Sequence, residues 1–202
     1  MSAAQIVLAS ASPRRRELLT RIGFQIAVVP ADVDEAVLAE ETPEEHVKRL
    51  SLAKARAVAA RADIDGRWFI GSDTVVVLDN VILGKPADAA EAAVMLRSLA
   101  GRSHRVVSGY AVVDRLKNIS EAAAIVTRVT FRELTDAEIA GYIATGEPAD
   151  KAGAYGIQGI GACLVRSIDG SYTNVVGLPL CEVVETLERM GATTLFDVDY
   201  SS

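Results

Sequence analysis

Leu8-Ala-Ser-Ala-Ser-Pro-Arg-Arg-Arg-Glu-Leu-Leu19 decides how the fold is read. It follows the short apolar run Ile6-Val-Leu-Ala9, which reads as a strand. Ser12 before Pro13 is a strong helix start: a serine cap accepts an orphan amide, and proline is preset for the first helical position. Arg14, Arg15 and Arg16 then fall in the first helical turn, where cations oppose the helix dipole. Three of them suggest that an anion sits in front of the helix, gathering exposed amides, serine hydroxyls and guanidinium groups, and a phosphate fits. A solvated basic patch is the competing reading.

Outward from this start, strands and helices alternate. Residues 24–29 read as a strand, followed by the acidic loop Asp32-Val-Asp-Glu35. Thr42-Pro-Glu-Glu45 is a capping box with proline at the first helical position and opens a helix to about residue 62. Residues 68–78 form a long extended run turned back at Asp79-Asn80. Asp88-Ala-Ala-Glu91 opens a helix that ends at Gly101. Two further strands are predicted over 105–114 and 123–134, around Lys117-Asn118, and Thr135-Asp-Ala-Glu138 caps a helix to about Gly146. Asp169-Gly170 between residues 162–168 and 172–176 predicts a hairpin. A last helix covers about 179–190, and the tail 193–202 is expected to be loosely anchored. Early strand–helix alternation with later hairpins predicts an α/β fold, a single domain over 1–202 with helices flanking a mixed, twisted sheet.

Composition narrows the function. Of 202 residues, half are apolar and about a quarter charged, as in ordinary globular proteins. No apolar run approaches the roughly 20 residues that span a bilayer, and no leader pattern is present, so no membrane association and a cytoplasmic location are expected. Cys163 and Cys181 lack metal-ligand spacing, and His46 and His104 are too few for a histidine zinc site. A net charge of −6 argues against nucleic acid as a partner and leaves a small polyanion in a local basic pocket.

Candidate chemistry lies where local rules fail. Lys54 shares a helical face with Val47, Leu50 and Val58, so its amine either reaches out to water or meets an anion. Asp73 interrupts Phe69-Ile-Gly-Ser-Asp-Thr-Val-Val-Val-Leu78, sharing a strand face with Phe69, Val75 and Val77. A carboxylate there is paired, metal-bound or catalytic, unless a kink at Gly71 exposes it. Lys85 in Leu83-Gly-Lys-Pro86 follows a hairpin strand. Glu35 ends a loop whose carboxylates suit a hard divalent cation shared with substrate phosphates, or are merely solvated. Asp150-Lys-Ala-Gly-Ala-Tyr-Gly-Ile-Gln-Gly159 reads as a shaped loop that is neither a P-loop nor a dinucleotide fingerprint. The Gln158 amide can pair with two adjacent positions of a uracil or thymine edge, or can buttress its own loop.

Taken in order, Ser10-Ala-Ser-Pro-Arg-Arg15, Glu35, Lys54-Ala55, Gly71-Ser-Asp-Thr74 and Gly84-Lys-Pro86 resemble the motifs of the Maf family of nucleoside triphosphate pyrophosphatases. The 150–159 loop is similar to the long motif of that family's dTTP/UTP-cleaving branch. Gly170-Ser-Tyr172 and Val176-Gly-Leu-Pro179 fit its C-terminal part, so the resemblance spans about residues 5–190. It implies an α/β fold related to inosine triphosphate pyrophosphatases, often dimeric, that hydrolyses a nucleoside triphosphate to the monophosphate and pyrophosphate with Mg²⁺ or Mn²⁺. It implies Asp73 as proton acceptor, with Ser10, Arg15, Glu35, Lys54 and Lys85 for triphosphate and metal, and Glu35 and Asp73 are the expected metal ligands. Arg14, Thr74 and Gln158 fall at the positions that track base choice. The alternatives are a 7-methyl-GTP pyrophosphatase, a broader remover of modified pyrimidine nucleotides, or a nucleotide-binding regulator of cell division with incidental catalysis.

Overall fold

Cap residues set the helix starts. In the computed structural model, which describes residues 5–194, Ser12 caps α1 (Pro13–Arg21), and Thr42 with Glu45 forms a full capping box on α2 (Pro43–Ala59). Asp88 caps α3 (Ala89–Leu99), and Thr135 with Glu138 boxes α4 (Asp136–Ala144). Each side chain accepts from a backbone amide of the first turn that has no partner within the helix.

The strands are β1 (Ile6–Leu8), β2 (Ile26–Val28), β3 (Trp68–Leu78), β4 (Val81–Leu83), β5 (Ser103–Asp114), β6 (Ile119–Phe131) and β7 (Val165–Asp169). They form one mixed sheet in the order β2-β1-β3-β5-β6-β7, with β4 also on β3. β1 runs parallel to β2 and β3, and the remaining pairings are antiparallel. Asp79 and Asn80, both at positive φ, make the tight β3–β4 turn, a conformation these two residue types tolerate.

The expected α/β fold with a mixed sheet is what the chain adopts, with local corrections: Ile160–Leu164 forms a 3₁₀ helix that takes up the start of the strand predicted over 162–168. β6 begins at Ile119, earlier than the predicted 123. More importantly, residues 172–176 are not a strand. They form the short helix α5 (Tyr172–Val176), capped by Ser171, and β7 pairs with β6 instead. Tertiary bonding overrides the β-branched Val175-Val176 pair here. Asn174 is fully buried and donates through Nδ2 to Val106 O (3.1 Å) and Thr127 Oγ1 (3.0 Å), contacts that tie this turn to β5 and β6. The last helix, α6 (Leu180–Arg189), lies as predicted. Most of the predicted loose tail, 195–202, lies outside the described residues. Among those described, no helix is long and apolar enough to cross a membrane.

Alternation along β3 divides the core. Trp68 and Ile70 face α1 and α6, while Val76 and Leu78 face α3 and α4. Phe69 meets α2 on the opposite face. α2 lies very close to the sheet because β3 and β5 carry glycine beneath it. A Cβ at Gly71 would stand 2.0 Å from Ser51 O, and one at Gly109 would stand 2.2 Å from Val47 O. Gly71 therefore seats a helix; it does not kink Asp73 out to solvent. Val47, Leu50 and Val58 are buried on this contact. At about 2 kcal/mol each, they outweigh the roughly 2 kcal/mol of side-chain entropy lost when Lys54 is ordered beside them.

His104 is buried at the start of β5, edge-on to Phe131 and Tyr155, with Nε2 2.8 Å from the Tyr155 hydroxyl. Its Nδ1 has no hydrogen-bond partner among the described residues. Burial brings its pKa down to about 4, so the folded state favours the neutral ring. The stabilisation is complete above the unfolded pKa of about 6.5 and is lost as pH falls towards 4. It amounts to about 3 kcal/mol. Denaturant midpoints measured across that window should fall less steeply in His104→Gln than in the unmodified protein. Parallel curves would show that His104 is not the titrating group.

Candidate active site

β3 is paired unevenly along one edge. β1 covers Trp68–Ile70 and β4 covers Val76–Leu78, leaving residues 71–75 without a strand partner on that side. A cavity of about 870 Å³ opens there, and all the predicted site residues line it: Ser10, Arg14, Arg15, Glu35, Lys54, Asp73, Thr74, Lys85 and Gln158. Because side chains alternate along a strand, Asp73 reaches the α2 side of the sheet and Thr74 the other.

The two anomalies of the sequence are each other's partners. Lys54 Nζ donates to Asp73 Oδ1 at 2.7 Å and lies 2.6 Å from Glu35 Oε1. Lys54 and Asp73 are buried, whereas Glu35 comes from the exposed loop after β2. Burial pushes the Glu35 carboxyl up, but Lys54, Lys85 and Arg15 together bring its pKa below the ordinary value. An ammonium has three donors, so one remains for an incoming anion.

Arg15 is held from three directions on the other face. Nε donates to Gly177 O (2.7 Å), Nη1 to Ser10 Oγ (3.0 Å) and Nη2 to Thr74 Oγ1 (3.1 Å). Of five N–H groups, two therefore have no partner among the described residues. Burial lowers the Arg15 pKa and Asp73 opposes this; a guanidinium stays charged regardless. Gly177 O also accepts from Ser72 Oγ and Thr74 Oγ1, so the turn after α5 is a hub for these side chains. Thr74, whose oxygen also meets Ser108 Oγ at 2.9 Å, orders Arg15. Arg14 reaches Asp150 Oδ2 at 3.5 Å, linking the first loop to the 150–159 loop. Lys85 is exposed at the cavity rim, and the exposed Gln158 amide has no protein partner among the described residues.

Sequence reasoning missed the groups that place the Glu35 loop. Arg49 Nη2 donates to Ala36 O (2.9 Å), and Arg49 is itself gripped by Glu41 at 2.5 and 2.8 Å. That grip, with smaller help from the Leu38 amide and His46, brings the Glu41 pKa down to about 2. The only local signal was a glutamate immediately before a capping box, which is ordinary. Gly177 was missed as well, because its carbonyl acts only once residues 172–176 turn as a helix.

No three His, Cys, Asp or Glu side chains gather as a metal cage among the described residues. The Asp73 and Glu35 carboxylates that converge on Lys54 are of the hard oxygen type that a divalent cation takes. An α/β sheet opening on an unpaired strand edge, with lysine and arginine donors around paired carboxylates, defines a protein built to bind a small polyanion. The chain belongs to the Maf-like protein family, whose sequence profile matches residues 5–190. It is 66% identical over 194 residues to a dTTP/UTP pyrophosphatase of Syntrophotalea carbinolica, covering 96% of this chain and 88% of that one. It is 55% identical over 188 residues to a dTTP/UTP pyrophosphatase of Geobacter metallireducens, covering 93% and 97% respectively. A nucleoside-triphosphatase (dITP/XTP pyrophosphatase) structure from Mycobacterium abscessus overlaps 92% of this chain and 97% of its own, at 16% identity and a TM-score of 0.49.

Proposed function

We propose that this protein hydrolyses dTTP and UTP to the nucleoside monophosphate and pyrophosphate, limiting unwanted or modified pyrimidine nucleotides. The observation that carries this is one cavity holding Asp73, Glu35 and Lys54 in direct contact, Arg15 and Lys85 beside them, and a free glutamine amide at its rim. The activity named for relatives at 55–66% identity supports it.

Cleavage at the α-phosphorus releases pyrophosphate, whose growing charge needs fixed cations. Arg15 is pre-set by Ser10, Thr74 and Gly177, so its free donors meet the phosphates without reorganisation. Lys54 contributes its third donor and Lys85 closes from the rim. Mg²⁺ or Mn²⁺, held by Glu35 and Asp73, would neutralise further phosphate charge. Asp73 would take the proton from a water attacking opposite the leaving group. Gln158 would read the base by donating to one carbonyl and accepting from the adjacent N–H.

The reading is tested by assaying dTTP, UTP, CTP, dATP and 7-methyl-GTP with Mg²⁺ and with Mn²⁺, following monophosphate and pyrophosphate together. Rapid turnover of dTTP and UTP is expected. Preference for 7-methyl-GTP would keep the chemistry and overturn the base assignment, and silence on all five would favour a nucleotide-binding regulator. In the same assay Gln158→Glu should weaken the preference for dTTP and UTP, because a donor becomes an acceptor facing a carbonyl. Unchanged selectivity would return Gln158 to a structural role.

A further inference from the structure

A glutamine amide facing the N3 and C4 edge of a base can turn over to suit cytosine as well as uracil, whereas one facing the O2 and N3 edge meets two acceptors in cytosine and cannot, so selectivity depends on where the backbone holds Gln158. The structure shows what holds it. Tyr142, at the end of α4, accepts at its hydroxyl from Gly156 N (3.0 Å) and donates to Glu147 Oε1 (2.8 Å). Glu147 Oε1 also accepts from Gly161 N (2.9 Å), and Oε2 accepts from Ile160 N (2.8 Å). One phenol and one carboxylate thus tie down the amides two residues before and two residues after Gln158.

The glycines of the loop match this pair. A Cβ at Gly159 would stand 2.1 Å from Glu147 Oε2, and one at Gly161 would stand 2.4 Å from the Tyr142 hydroxyl oxygen. The loop can lie flat on these two side chains only without side chains of its own at those points. Burial pushes the Glu147 carboxyl up, but the Gly161 amide, Tyr142, the Ile160 amide and Lys151 outweigh it and hold the group ionised. Burial raises the Tyr142 pKa, keeping the phenol a donor. Its bond to the carboxylate and the two amide bonds are therefore charge-assisted, the stronger kind. Neither residue has a part in the phosphate chemistry above.

We infer that Tyr142 and Glu147 are specificity-positioning residues, which set base selectivity by fixing the backbone that presents Gln158. The inference rests on the reading that Gln158 meets the base. A clamp that merely stabilises the loop would move melting temperature without moving the choice between bases.

The test is a double-mutant cycle on kcat/KM for UTP and CTP with Glu147→Gln, Gln158→Ala and the pair together, repeated with Tyr142→Phe in place of Glu147→Gln. Glu147→Gln is expected to lower the UTP-to-CTP ratio about tenfold, the scale of one hydrogen bond lost to the base. The loss should appear in KM for UTP, and Glu147→Asp should recover part of it. In the Gln158→Ala background the same change should leave the ratio unmoved, because residues acting through one another are not additive. An equal loss in both backgrounds, or no loss in the single variants, overturns the positioning role. If Gln158→Ala alone leaves the ratio unchanged, the base reading fails and takes this inference with it. Should Glu147→Gln prove unfolded by circular dichroism, the Tyr142→Phe cycle decides, since that change removes one oxygen and leaves the ring in place.

Discussion

Asp73→Asn should keep the fold and lower turnover by at least about a hundredfold, the low end of what a positioned proton acceptor contributes. The substitution is close to isosteric and leaves an oxygen to accept from Lys54, so the 2.7 Å contact can persist. What is lost is negative charge at the point where β3 has no strand partner. Without it the side chain takes no proton from water and is a poor ligand for a divalent cation. Initial rates of pyrophosphate release from dTTP and UTP, read beside a thermal melt, separate the two effects. Near-normal turnover in a folded variant would remove Asp73 from the chemistry.

The second large effect concerns stability. Lys54→Met should destabilise the protein by about 3 kcal/mol, since removing one partner of a buried ion pair leaves the other charge uncompensated. The lower end of the usual range is expected because Glu35, with its side chain 61% exposed, can turn to water, whereas Asp73 at 13% cannot. Adding Asp73→Asn to Lys54→Met should recover most of the loss, since no charge is then stranded. Mn²⁺ should raise the melting temperature of Lys54→Met more than that of the unmodified protein, the cation standing in for the ammonium. Urea unfolding of the two variants measures this directly. A loss under about 1 kcal/mol, with no recovery in the double variant, would mean that Asp73 does not depend on Lys54 for neutralisation.

Both expectations start from residues that were legible as local violations. A lysine on the apolar stripe with Val47, Leu50 and Val58, and an aspartate inside a valine-rich strand, are costly on their own. The sequence therefore marked each as needing either a partner or an exit to water. It did not pair them, because their meeting depends on how closely α2 approaches the sheet. That distance is set by Gly71 and Gly109, which lie 38 residues apart in the chain and nearly opposite one another across β3 and β5. The same holds for Arg15. Its position in a first helical turn announced an anion site, while its aim is decided by the Gly177 carbonyl, 162 residues away.

Signals confined to a few neighbours were readable without the structure. Ser12, Thr42, Asp88 and Thr135 cap helices through residues three positions on, and the Asp79-Asn80 turn needs only its own backbone. Residues 172–176 went the other way. Their valines favour a strand, but Ser171 offers a cap, and Asn174 finds buried acceptors on β5 and β6 that only the folded sheet provides. Glu147 carried no mark at all: a glutamate after a helix is unremarkable until Tyr142, Gly156, Ile160 and Gly161 fold around it.

By itself, then, the sequence determined most of the element order, the helix caps, the α/β character and the family motifs, because these depend on local backbone preference and short-range periodicity. The tertiary structure alone decided which charges neutralise one another, which carbonyl aims Arg15 and what holds the Gln158 loop. Those outcomes depend on distances between segments far apart in the chain, and packing of the α2 helix and the turns onto the sheet is what sets them.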